Sequence, residues 1–111
     1  MQGMGWLTTE ELDWDAAGRL RTHGPSTYKI PGSRDVPPVF NARILADAPN
    51  REATIFRSKA VGEPPLMLGI SVFMALSDAI AQAGEGAYPA LDAPATPERI
   101  LNAVERVSQP R

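Results

Sequence analysis

Residues 58–80, SKAVGEPPLMLGISVFMALSDAI, decide how this chain is read. Pro64 and Pro65 open a run without charge that lasts to Ser77. A proline in the first helical turn loses nothing by lacking an N–H, so the pair marks a helix start. Gly84 or Gly86 supplies the stop, and the spacing predicts a helix from Pro64 to about Ala83. Leu66, Met67, Leu68, Ile70, Val72, Phe73, Ala75 and Leu76 cover nearly every direction around its axis. Such a helix needs cover on most sides. A chain of 111 residues hides only roughly two-thirds of the surface its unfolded form exposes, so the helix is over-provisioned for so small a body.

Outward from that helix the chain is cut into short elements by 11 prolines and 9 glycines. On the C-terminal side, TPERILNAVERV begins with Thr96 as a helix N-cap, Pro97 at the first helical position and Glu98 in the first turn. Ile100, Leu101, Val104 and Val107 form one apolar stripe, with Arg99, Asn102 and Arg106 outside it. That pattern predicts a helix lying on a surface. On the N-terminal side, VFNARIL alternates Phe40, Ala42 and Ile44 with Asn41 and Arg43, the pattern of a half-buried strand.

Residues 1–15 read as helix then strand, Thr8 and Glu11 having the spacing of a capping box. Gly18 sits between Trp14 and Leu20 as a hairpin turn. HGPSTYKIPGSRDVPP reads as an ordered loop, and ADAPNREATIFRSKAVGE as a second loop leading into the long helix. The fold class expected is therefore α+β, a single domain over 1–111 with a small sheet, a long buried helix and a C-terminal surface helix.

Composition narrows the function. Eleven Lys and Arg against 13 Asp and Glu give a net charge of −2 with no basic block, so no nucleic acid and no anionic membrane is expected as a partner. The uncharged run Pro64–Ser77 is short for a membrane span. No secretory signal opens the chain, and with no cysteine there is neither a disulfide nor a thiolate site. A cytoplasmic protein is the expectation. The single histidine, His23, has no second ligand at metal-binding spacing, so no metal ligands are assigned. Trp6, Trp14 and Tyr28 read as local anchors. Nucleotide-binding glycine loops and a nucleophile elbow are missing.

Glu63 stands apart, placed between Gly62 and Pro64 at the mouth of the long helix. Pro64 biases Glu63 toward extended backbone, and Gly62 has conformations closed to other residues. Shielding by Val61, Pro64, Pro65 and Leu66 would disfavour its charge, whereas the helix N-terminus would favour it. The two pull against each other, as in a carboxylate poised for proton transfer. The simpler reading is a helix-start glutamate paired with Lys59 or Arg57, stabilised by roughly 0.3–1 kcal/mol through the helix dipole. On physical grounds alone that reading leads.

Taken in order, QGMGWLTTEEL, THGPSTYKIPG, FNARIL, PNREATIFRSKAVGEPP and LDAPATPERILNAV resemble the C-terminal part of the molybdenum-binding subunit of the xanthine dehydrogenases, within the molybdenum hydroxylase family. The likeness runs from residue 2 to about 105. It implies part of a larger molybdopterin-binding domain and a molybdenum–molybdopterin cofactor, with 2Fe-2S clusters and FAD on other parts of the enzyme. Glu63 matches the family's general base, which activates the Mo-bound hydroxide for attack on purines such as xanthine and hypoxanthine. Ala60, Val61 and Gly62 would form the wall beside the cofactor; Lys59 receives no chemical role. The partners implied are the remainder of the molybdopterin-binding subunit and the FeS/FAD subunit or domains. Purine-orienting side chains and most pterin contacts are expected upstream of Gln2, which makes Met1 read as the start of a truncated chain. The isolated chain is expected to be inactive and to self-associate through its apolar helix. The competing reading is a free-standing α+β interaction or scaffold module without catalysis.

Overall fold

The structure, a computed structural model, describes residues 1–109. Three α-helices carry it: α1 (Gln2–Leu7), α2 (Glu63–Ala83) and α3 (Pro97–Ser108). Short 3₁₀ turns lie at Ser33–Asp35 and Ile55–Arg57.

The long helix forms where its prolines and glycine put it. α2 begins with Glu63, carries Pro64 and Pro65 in its first turn and stops at Gly84. Glu63 is thus the first helical residue rather than an extended residue ahead of the helix. Pro64 biases its predecessor away from helix, and the helical run, with both prolines in its first turn, overrides that bias. α3 also follows its sequence signals: the Thr96 Oγ1 accepts the Arg99 N–H at 3.4 Å, and Pro97 is the first helical residue.

α1 is less legible. Its sequence QGMGWL contains two glycines, poor helix formers, and six residues are too few to hold a helix alone. Packing supplies the reason. A Cβ on Gly3 would collide with Pro65 O and lie 2.8 Å from Gly69 Cα, so α1 and α2 touch backbone to backbone at this pair of glycines. Thr8 does not begin a helix as its spacing with Glu11 suggested. It closes α1, donating its hydroxyl to Met4 O at 2.6 Å, while the N–H groups of Thr8, Thr9 and Glu10 gather on Gly5 O.

The expected small sheet is not formed. Among the described residues there is no strand, only an isolated antiparallel bridge between Trp14 and Leu20. That bridge is the hairpin expected around Gly18, whose φ of 76° suits the turn. VFNARIL, read as a half-buried strand, is irregular and open: Phe40 is 59% and Ile44 97% exposed. Its alternation is real, but a strand needs a neighbouring strand for its N–H and C=O groups, and among the described residues none lies beside it.

α1 packs on α2, and α2 on α3, with Gly84 seated against Val107. Ala95 N–H bonds Leu7 O at 2.6 Å, and Arg99 reaches Pro94 O at 2.8 Å and Glu11 Oε1 at 2.7 Å. These contacts tie the start of α3 to the chain's N-terminal segment. The apolar centre is small, with Ile80, Ala95 and Ala103 buried.

The molecule is correspondingly open. Its radius of gyration is 18.2 Å, against about 13 Å for a compact 100-residue domain. It exposes 9097 Å², where a compact monomer of 11.9 kDa would expose about 5,900 Å². The helix expected to be buried contributes to the excess: Leu66, Met67, Leu68, Ile70 and Met74 of α2 are 45–68% exposed, as expected for this chain by itself. By length and composition α2 would also suffice to cross a membrane, since the helix continues past Asp78 where the uncharged run ends.

Candidate active site

The segment carrying Glu63 is suspended between two well-defined bodies. Downstream is α2. Upstream is a small hydrogen-bonded knot built on Asn50. Its side-chain amide donates to Thr54 Oγ1 at 3.1 Å and to Ser58 O at 2.9 Å, while its Oδ1 accepts the Glu52 N–H at 3.1 Å. The Thr54 hydroxyl also donates to Ser58 O, at 2.8 Å. Arg57 Nη1 returns to Asn50 O at 3.1 Å, and Lys59 Nζ reaches Ala48 O at 3.3 Å.

The knot holds an unfavourable backbone. Phe56 and Arg57 have φ of 49° and 55°, a left-handed conformation that costs a side-chain-bearing residue roughly 1–3 kcal/mol. The Asn50 and Thr54 side-chain bonds close the turn over it, together with the Arg57 N–H on Thr54 O and the Ser58 N–H on Ile55 O, both at 3.0 Å. Sequence reading took this stretch as a plain loop. The available signal was an asparagine after Pro49 with Thr54 and Ser58 at four-residue steps, a pattern able to satisfy backbone groups locally.

Between Lys59 and α2 lie only Ala60, Val61 and Gly62. With Glu63 they form one exposed bridge. Their backbone N–H groups, with that of Glu63, have no protein partner among the described residues. Gly62 has φ −80° and ψ −38°, open to any residue, so the turn does not demand glycine. What the glycine leaves is space: a Cβ there would meet nothing within 4 Å.

Glu63 itself forms no hydrogen bond or ion pair among the described residues. Arg57 and Lys59, its expected partners, are engaged by carbonyls of the knot. Its remaining local influence is the N-terminus of α2, which favours a negative charge. Three hollows in the surface lie elsewhere: by Gly84 and Val107, by His23 and Tyr28, and along the α1–α2 seam. No group of three or more His, Cys, Asp or Glu side chains comes together among the described residues.

The perturbed ionisable groups are structural. Arg19, first through its backbone N–H and then its side chain, holds Asp15 below the usual carboxylate range. The Gly32 N–H, aided by Lys29, does the same for Asp35. Tyr28 is raised because its hydroxyl donates to Glu10 Oε2 at 2.6 Å; it is one of the expected anchors, while Trp14 stays 53% exposed.

Known proteins connect these features. Residues 1–37 match the family described as "Molybdopterin cofactor-binding domain". The chain is 51% identical over 109 residues to a xanthine dehydrogenase/oxidase of Rattus norvegicus, covering 93% of this chain and 8% of that protein. A Mus musculus relative of the same name is 51% identical over 110 residues, with the same coverage. A xanthine dehydrogenase of Dictyostelium discoideum is 52% identical over 104 residues, covering 90% of the chain and 8% of the relative. The chain thus spans about 8% of the length of these curated relatives. By a likeness that runs along nine-tenths of its length, the chain is similar to a stretch of the xanthine dehydrogenases.

Proposed function

We propose that these residues are the C-terminal, base-carrying segment of a molybdenum hydroxylase acting on purines such as xanthine or hypoxanthine, with Glu63 as its general base. The observation carrying the proposal is the exposed bridge Ala60–Glu63: a carboxylate and four N–H groups with no partner among the described residues, between the knot and α2. That donor set suits an oxygen-rich cofactor such as molybdenum–molybdopterin, with Gly62 letting the backbone come close. When bound, the cofactor supplies an acidified oxygen nucleophile and a two-electron acceptor.

The chain's own residues have three tasks in this scheme. Glu63 takes the proton at a carboxylate oxygen. Ala60, Val61 and Gly62 wall the cofactor and offer their N–H groups to it. The exposed face of α2 docks on the remainder of the molybdopterin-binding subunit, which excludes water from the base. The 2Fe-2S clusters and FAD that carry electrons onward belong to other domains, and the whole is a cytoplasmic enzyme. Without those parts, the chain self-associates through α2 and turns nothing over.

The test is to isolate from its own cells the native polypeptide containing these peptides, weigh it, and measure its molybdenum content and purine oxidation. The proposal expects a much longer polypeptide that holds molybdenum and oxidises xanthine or hypoxanthine. A polypeptide of this length alone, without molybdenum, would instead favour a scaffold module.

A further inference from the structure

The knot at residues 48–59 has no part in the reaction as proposed, yet it lies immediately ahead of the base. We infer that Asn50 and Thr54 are positioning residues for the bridge Ala60–Glu63. The inference rests on the reading of Glu63 as general base.

Geometry leads there in three steps. Asn50 is placed to use both ends of its amide: the NH₂ group spans Thr54 Oγ1 and Ser58 O, and the oxygen receives the Glu52 N–H. Ser58 O is gripped twice, by Asn50 and by the Thr54 hydroxyl, which fixes the chain where it leaves the turn. Lys59, bonded to Ala48 O, extends the fixed region by one residue. Three residues then remain before α2 takes over at Glu63. A three-residue bridge clamped at both ends has few conformations to explore, so the direction of its N–H groups and of Glu63 is set by where the knot delivers residue 59.

The bonds also sustain a costly conformation. Left-handed Phe56 and Arg57 persist only while the surroundings hold them, and within this chain Phe56 is 99% exposed, so the hold comes from the hydrogen bonds of the turn. Removing the Asn50 amide or the Thr54 hydroxyl releases the turn and, with it, residue 59. Lys59 acts as a staple of this knot, its ammonium directed at Ala48 O rather than at Glu63.

The inference is tested in the complete enzyme with Asn50→Ala, the milder Thr54→Val, and Thr54→Ser, which keeps the hydroxyl. The expected result for the first two is a kcat lowered about 10- to 100-fold, the scale of a misplaced catalytic group, with KM within about two-fold, molybdenum and pterin content unchanged, and faster trypsin cleavage after Arg57 and Lys59. Thr54→Ser should recover most of the rate and the protection. Parental kcat and unchanged cleavage in Asn50→Ala and Thr54→Val would overturn it, as would loss of molybdenum in step with activity, which marks a role in cofactor retention instead. Glu63→Gln measured alongside separates the two claims. If that variant is dead while Asn50→Ala and Thr54→Val are normal, only the positioning role fails; if Glu63→Gln turns over normally, the base assignment fails whatever the knot does.

Discussion

Gly69→Ala probes a place where α1 and α2 meet backbone to backbone. A Cβ on Gly69 would lie 2.7 Å from Gly3 O, 2.9 Å from Gly3 C and 3.0 Å from Gly3 Cα. Carbon contacts are most favourable at roughly 3.5–4.0 Å, so the methyl is about 0.5 Å or more too close. These three nearest atoms are all main chain, so none of them can rotate away. α1 must lift off α2, at the overpacking cost of about 1–3 kcal/mol. For a chain of this size each kcal/mol lowers Tm by roughly 4–8 °C, so a fall of at least about 4 °C is expected. Trp6, half-buried in α1, supplies the assay: its fluorescence, read in a Trp14→Phe background, should shift as α1 loosens. Gly24→Ala is the matched control, since a Cβ there meets nothing within 4 Å, and should leave Tm within a few degrees. An unchanged Tm and unchanged Trp6 emission in Gly69→Ala would refute the close crossing of α1 and α2.

Thr96→Ala should destabilise α3 by about 1 kcal/mol through loss of the Arg99 N–H cap, seen as a lower denaturation midpoint; Thr96→Ser should restore it. Tyr28→Phe removes the bond to Glu10. Because Tyr28 is raised in the folded chain, its contribution is complete below the usual tyrosine range and lost as pH climbs through the folded value. The stability gap to the parent should therefore be present at neutral pH and close in alkali, and a gap constant into alkali would count against it. Asp15 is lowered by the Arg19 contacts, so the opposite sign applies: the gap between parent and Asp15→Asn should hold above the usual carboxylate range and vanish as pH falls below it. Trp14, in the adjoining bridge, reports the turn by fluorescence.

What the sequence reveals depends on how local the cause is. α2 and α3 are legible because prolines, a threonine cap and a terminal glycine act within one turn. The Gly18 hairpin is legible for the same reason. The helix expected within residues 1–15 is present as α1, but its place is not legible: QGMGWL is held by Gly3 meeting Gly69, two positions far apart in the chain. The strand expected at Val39–Leu45 fails differently: alternation records which face is meant for cover, while hydrogen-bonded partners decide whether a strand exists, and among the described residues none is beside it. Glu63 could be singled out from Gly62, Pro64 and the family likeness. Asn50 could not, because its importance lies in accepting and donating to Glu52, Thr54 and Ser58 at once, a closure seen only when the turn is folded.

The proposed role of Glu63 stands or falls on its replacement in the complete enzyme. Glu63→Gln keeps the shape and removes the base. Molybdenum content should stay at the parental level while purine turnover falls by about 10²–10⁴-fold, the range for loss of a general base. Turnover retained at the parental rate, with molybdenum in place, would contradict the assignment.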